Sequence, residues 1–265
     1  MSGAIVDVHA HIGRNVSTGE GQSAMRCLET MGAAGIEQAF LSPVAGGRQV
    51  DGVLDTMREN DAIAEAMRAH PEQFPIGLAG VEVRHEERAL EELERALGTL
   101  GLQGLAFHAI FQGFTVGAGG VLDPLLELAG EHDALCLMHA MPEAGEFSME
   151  SPRAIGKLAD LYPRVTFIMG HSAITEEQRA VAVEAAAGRE NLLVDLAYQH
   201  SSETVEIFVR ALGAERVLFG SDAPFRDPRS TIASVEEARI DDAAKELVLG
   251  GNARALIERF AAPLR

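Results

Sequence analysis

The feature that most restricts the folds open to this chain is an alternation. Short runs rich in β-branched and apolar residues are separated, eight times over, by longer stretches of helical period. Strand-sized segments alternating with amphipathic helices are the pattern of βα units on a parallel sheet. Strands are expected at 4–9, 36–42, 74–83, 104–108, 134–139, 165–169, 192–196 and 216–220. Helices are expected at 20–34, 50–70, 86–100, 122–132, 152–161, 176–187 and 203–212, with a helical tail from 228 broken at Gly250 and Gly251. In the helix at 50–70, Val53, Met57, Ile63 and Met67 make the inner stripe. A glycine-rich loop follows the second strand, another covers 111–120, and a further loop covers 141–149. No linker or repeat interrupts the series, so one α/β domain over 1–265, a closed (β/α)8 TIM barrel, is the economical reading. The alternative is an open doubly wound sheet, because strand number alone does not prove closure.

Charge narrows the partners. A net charge of −18 over 265 residues argues against nucleic acid and anionic membranes, since phosphate binding needs clustered Lys and Arg. No apolar run approaches the ~20 residues of a membrane helix. No basic n-region or apolar h-region precedes the first strand, so a signal peptide is not expected and a cytoplasmic protein is. Cys27 and Cys136 sit among apolar residues as small buried hydrophobes of a reduced compartment, and a disulfide between them stays open. Oligomeric state also stays open, a homo-oligomer included.

The chemistry gathers where a barrel would put it. In a (β/α)8 barrel the active site lies at the C-terminal ends of the strands. His9 and His11 end the first strand, on one face and about 6.6 Å apart at ~3.3 Å per residue, close enough to converge on one ion. Asp7 is expected to point the same way, one step deeper. His108 ends the fourth strand, His139 the fifth, His171 follows the sixth and Asp222 the eighth. His70, His85 and His132 fall in helices or loops at the opposite side, and His200 near the end of the seventh strand. The bland readings are a core-satisfied His139 and an Asp222 that merely caps a turn before Pro224; clustering with His9 and His11 favours a ligand and a functional carboxylate. His171, after Gly170, reads as a catalytic or supporting group.

Together these residues resemble the amidohydrolase superfamily, in the amidohydrolase-related branch that includes aminocarboxymuconate semialdehyde decarboxylase. The resemblance rests on Asp7-Val8-His9-Ala10-His11, on Asn60-Asp61 with Pro71-Glu72-Gln73-Phe74, on Gly170-His171, on Val217 through Pro224, and on Gly250-Gly251-Asn252-Ala253. It covers essentially the whole chain and implies a metallo-dependent hydrolase barrel. By that resemblance His9, His11, His139 and Asp222 bind one divalent metal, usually zinc, and His171 activates the metal's water or orients the substrate. Binuclear members of the superfamily place a carboxylated lysine on the fourth strand. Here Ala106 stands there, and Lys157 and Lys245, the only two lysines, lie outside the expected strands, so a single metal is expected.

Zinc held by imidazoles and a carboxylate lowers the pKa of water from ~15.7 toward ~7. The expected reaction is therefore hydroxide attack on an ester, lactone or amide of a small carboxylate-bearing substrate. Asp222 shuttles the proton and His171 steadies the oxyanion or shares that transfer. Arg14, His108, Phe111, Gln112, Tyr198 and Arg226 are candidates for contacting substrate, an arginine favouring a carboxylate. Either arginine could equally pair with surface acids. The rival within the family is nonhydrolytic decarboxylation with the same ligands. The rival from another class is a metal-binding barrel without turnover, which would be free to lose His171 or Asp222.

Overall fold

A computed structural model describes residues 3–15, 18–44, 53–117, 119–143 and 149–261. The glycine-rich segment after the second strand, the side chain of Val53 in the inner stripe and most of the 141–149 loop lie outside what is described. Eight parallel strands run in chain order around one sheet: β1 (Ile5–Arg14), β2 (Ile36–Pro43), β3 (Ile76–Ala79), β4 (Gly104–Phe107), β5 (Leu135–His139), β6 (Thr166–Gly170), β7 (Leu192–Asp195) and β8 (Val217–Leu218). A ninth, two-residue strand, Gly21–Gln22, adds to β1 in antiparallel sense.

The two ends of the sheet meet. Past β8 the chain continues along β1: the Val8 N–H donates to the Phe219 carbonyl at 3.0 Å, Asp222 N–H to His9 O at 2.9 Å, and His11 N–H to Ala223 O at 2.9 Å. These bonds close the barrel and exclude the open sheet, whose edge strands would stay unpaired.

Alternation along the strands divides the core into two layers. Val6, Val8, Phe40, Leu78, Leu137 and Ile168 belong to the cluster inside the barrel, closed below by Ala253 and Leu256 of the last helix (Asn252–Phe260). Leu41, Leu105, Met138, Phe167, Val194 and Phe219 pack outward against the helices. Strands buried on both faces read as continuous apolar runs for this reason.

Several boundaries differ from the sequence reading. The first strand runs on to Arg14, because His11 pairs with Ser42, Ile12 with Pro43 and Gly13 with Gln22, so the two histidines lie within it rather than at its end. The first helix (Ala24–Ala34) starts later than expected, capped by the Ser23 hydroxyl. Gly250 and Gly251 do not break the C-terminal helix. A π-helical turn, Leu247–Gly251, carries it through, and a Cβ on Gly250 would fall 2.0 Å from the Ala4 carbonyl oxygen, so this glycine serves close packing beneath the barrel. His85 follows β3 on the site's side of the barrel, not the opposite side, and is exposed. Lys157 and Lys245 lie in helices. Cys27 and Cys136 are buried and free. No helix among the described residues is long and apolar enough to cross a membrane.

Candidate metal centre and cleft

The histidines reach the barrel mouth through a flaw in β1. Val6 and Val8 both point into the barrel, whereas Ala10 and Ile12 pack outward, so strict alternation fails between them. The pairing with β2 shifts register between Asp7 and Ala10, a bulge that turns His9 and His11 inward together. The same shift moves Asp7 off the metal-facing side. Its carboxylate accepts from His9 N at 3.0 Å, from Ser221 N at 2.9 Å and from the Ser221 hydroxyl at 2.5 Å. Asp7 therefore bolts β1 to the loop that carries Asp222, and burial raises its pKa despite these bonds.

Five buried side chains converge: His9, His11, His139, His171 and Asp222, each at most 5% exposed. Their protons can be assigned from the acceptors behind them. His139 Nδ1 lies 2.7 Å from the Phe107 carbonyl, which only accepts, so Nδ1 carries the hydrogen and Nε2 keeps its lone pair. His9 Nδ1 donates to Asp195 Oδ2 at 2.5 Å. His11 Nδ1 faces the Pro43 carbonyl at 3.2 Å and the Ser42 hydroxyl at 2.8 Å.

Three Nε2 lone pairs are thus left aimed at one point with a carboxylate. His9 Nε2 stands 3.1 Å from His139 Nε2, and Asp222 Oδ1 stands 3.3 Å from His11 Nε2 and 3.9 Å from His9 Nε2. Facing lone pairs with no proton to share repel, and a divalent cation between them removes the repulsion. The donor chemistry therefore fits a metal. The ligand atoms of His9, His11 and His139, and separately those of His9, His171 and Asp222, lie within 4.8 Å of one another.

The electrostatics agree. Burial, then the neighbouring imidazoles, push His139 well below the usual histidine value, keeping it a neutral donor. Burial alone would raise Asp222, but the imidazoles of His11, His171 and His9 around it hold it well below the usual carboxylate range. Burial also pulls His171 down, yet the Asp222 carboxylate, 3.5 Å from its Nε2, outweighs that and leaves it raised.

Backbone conformation is unusual at the same places. His171 (φ 56°), Asp222 (φ 63°) and Tyr198 (φ 69°) all occupy the left-handed region although none is glycine. Such residues persist where surrounding bonds over-determine them, and they cluster at functional sites. Two glycines make the room. A Cβ on Gly170 would lie 2.8 Å from His9 Cε1, and one on Gly220 would lie 2.9 Å from His9 Cβ.

Above the donors lies a cleft of about 430 Å³ whose walls are mainly apolar, among them Ile110, Phe111, Met141, Ile174 and Phe225. Three of the expected substrate contacts line it. His108 stacks on His139 at 4.4 Å between centroids, Phe111 meets His108 edge-on at 4.4 Å, and Tyr198 tilts over His171 at 5.2 Å. The two arginines are elsewhere. Arg14 is exposed and donates from Nε to the Gly19 carbonyl at 3.2 Å. Arg226 lies behind Tyr198, its guanidinium carbon 3.8 Å from the ring centroid, and lines a separate groove. Gln112 spends its amide on His108 N and Val81 O, fixing the short helix Ala109–Gln112.

Three supporting residues were not anticipated. Asp195 holds His9, Ser42 holds His11, and Glu150 holds His108, accepting from its Nδ1 at 2.7 Å. Asp195 ends the apolar run Leu192-Leu193-Val194, the same signal that marked His139, so it was within reach. Ser42 and Glu150 carry no comparable signal.

A family model described as Amidohydrolase matches residues 6–259. No curated protein matches the chain. Among solved structures, 5-carboxyvanillate decarboxylase from Sphingomonas paucimobilis is similar with a TM-score of 0.76 at 17% identity, covering 97% of this chain and 99% of that one. The 2,6-dihydroxybenzoate decarboxylase from Rhizobium gives 0.74 at 18%, covering 97% and 99%. A dihydroxybenzoic acid decarboxylase from Polaromonas sp. JS666, with bound manganese and the inhibitor 2-nitroresorcinol, gives 0.76 at 19%, covering 98% of each. At such identities these likenesses establish a shared fold.

Proposed function

The chain belongs to the amidohydrolase family, and from that premise we propose that it is a metal-dependent carboxy-lyase that removes carbon dioxide from a small aromatic carboxylic acid. The observation that carries this reading is the cleft: mainly apolar and aromatic walls stand directly over the converging imidazole and carboxylate donors, and among the described residues no arginine or lysine lines it. A carboxylate that becomes neutral carbon dioxide loses charge, so walls that exclude water favour the product side of that step. The decarboxylases of similar fold act on aromatic acids by their names.

In this reading His9, His11, His139 and Asp222 hold one divalent cation. When bound, the metal supplies a positive charge that anchors the substrate's oxygens. Three imidazoles and a carboxylate suit zinc; the Polaromonas structure carries manganese, so metal analysis distinguishes the two. Phe111, Tyr198 and Phe225 sandwich the ring. Cleavage of the bond between ring and carboxylate leaves its electron pair on the ring carbon, and that carbon takes a proton relayed by His171 and Asp222, 3.5 Å apart. Carboxylate plus one proton gives arene plus carbon dioxide. The buried free thiols fit a reduced compartment, and we place the protein in the cytoplasm on that basis.

Hydrolysis of an ester, lactone or amide, the expectation drawn from the sequence, keeps one supporting observation: the same His171 and Asp222 pair is what a metal-activated water needs. Assaying carbon dioxide release from hydroxybenzoates and 5-carboxyvanillate, against opening of esters and lactones, tests the choice. Carbon dioxide should appear in step with loss of the acid, and His171→Asn should cut the rate about 10²–10⁴-fold. Ester or lactone opening without carbon dioxide overturns the lyase reading.

A further inference from the structure

Glu150 is fully buried at the edge of the cleft, with Oε1 accepting from His108 Nδ1 at 2.7 Å and from Ile110 N–H at 3.1 Å. Its other oxygen, Oε2, has no partner among the described residues. Burying a carboxylate costs several kcal/mol unless its charge is used, and a neutral amide or hydroxyl could have made the bond to Ile110 as well. What the charge adds is a fixed proton on His108 Nδ1. The opposite nitrogen, Nε2, then keeps its lone pair. His108 lines the cleft and is stacked on His139; with Nδ1 tied into the interior, Nε2 is the end left facing the ligand, and it makes no hydrogen bond among the described residues.

We propose that His108, oriented by Glu150, is a specificity residue whose Nε2 accepts a hydrogen bond from a hydroxyl on the ring of the substrate. The inference rests on the aromatic-acid reading above and narrows it to hydroxylated acids. Ring centroids of His108 and of the proposed ligand His139 are 4.4 Å apart, so one small ring reaches both the metal donors and His108. His108 touches the substrate; Glu150 is a positioning residue that acts through it.

Two measurements test this on the zinc-loaded protein. The first is histidine ¹⁵N NMR, which needs no ligand. His108, identified by the signal that His108→Phe removes, should be the Nδ1–H form, its proton shifted far downfield by the carboxylate and moved upfield in Glu150→Gln. An Nε2–H form overturns the proposal.

The second measurement compares binding of benzoate with that of 2-, 3- and 4-hydroxybenzoate. At least one hydroxy acid should bind the wild type about tenfold more tightly than benzoate, the worth of one good hydrogen bond. In the double variant His108→Phe, Glu150→Gln, which keeps the ring stacked on His139 and leaves no buried charge unpaired, that gain should vanish. Benzoate affinity is measured in both proteins, so that the ratio of hydroxy acid to benzoate is what is read, with metal content unchanged. A gain that survives the double variant, or equal binding of all four acids to the wild type, overturns the inference while leaving the aromatic-acid reading intact. Failure of every acid to bind the wild type sinks that reading and this inference with it.

Discussion

Asp195 grips His9 across the mouth of the barrel, its Oδ2 accepting from the imidazole Nδ1 at 2.5 Å with both side chains fully buried. The other oxygen of the same carboxylate accepts from the backbone N–H of His171 at 2.9 Å and of Ala197 at 3.1 Å. One side chain thus sets the tautomer of a proposed metal ligand and the backbone from which His171 projects. A histidine held this way presents its far nitrogen in one orientation.

Asp195→Asn should therefore weaken metal binding by about 10–100-fold while the fold survives. Competition against a chromophoric chelator measures the affinity, and circular dichroism checks the fold. An unchanged affinity would remove Asp195 from the centre.

Gly170→Ala should do comparable harm by sterics alone. The added methyl would lie 2.8 Å from His9 Cε1, closer than carbon atoms tolerate, and the imidazole it displaces is one of the converging donors. Metal affinity should fall at least tenfold. Gly98→Ala, where a new methyl meets nothing within 4 Å, is the matched control and should leave the affinity unchanged. Equal behaviour of the two variants would contradict the packing argument.

Stripping the metal should destabilise the chain measurably. A ligand present at about 100 times its Kd adds about 2.7 kcal/mol, and for a domain of this size each kcal/mol moves Tm by about 2–4 °C. Chelator-treated protein should accordingly melt about 5–10 °C lower, and zinc should restore the loss. A melting curve indifferent to chelator would mean that the facing lone pairs hold no cation.

Neither thiol should react in the native state. Burial, aided by the nearby Asp7, pushes the Cys27 thiol up to about 12, and burial alone raises Cys136 as well. The thiolate is the reactive form, and it is all but absent at pH 8. A disulfide-exchange reagent should titrate no thiol before unfolding and both afterwards. Rapid native reaction would place one of them at the surface.

What was legible and what was not divides along the physics of each signal. Leu135-Cys136-Leu137-Met138 and Phe167-Ile168-Met169 read correctly as strands because both faces of a barrel strand are buried, which writes itself into consecutive residues. Strand β8 was overextended, since Phe219 and Gly220 keep the apolar character of a strand while the hydrogen bonds of Phe219 go to β1 and to the C-terminal helix instead of β7. Gly250 misled in the other direction: close approach and helix breaking look alike in a one-dimensional pattern.

His9, His11, His139, His171 and Asp222 were chosen from their positions at strand ends, and all five meet. The chain alone determined this much, because barrel order converts sequence spacing into a ring of positions around one mouth. Tertiary structure alone decided the rest. The bulge that turns Asp7 away from His9, the carbonyls and carboxylates that assign each imidazole its proton, and the apolar cleft that leaves Arg14 and Arg226 outside all depend on contacts between residues distant in the chain. Hydrogen-bond partners and strand register are properties of two segments at once, and no local pattern in either segment contains them.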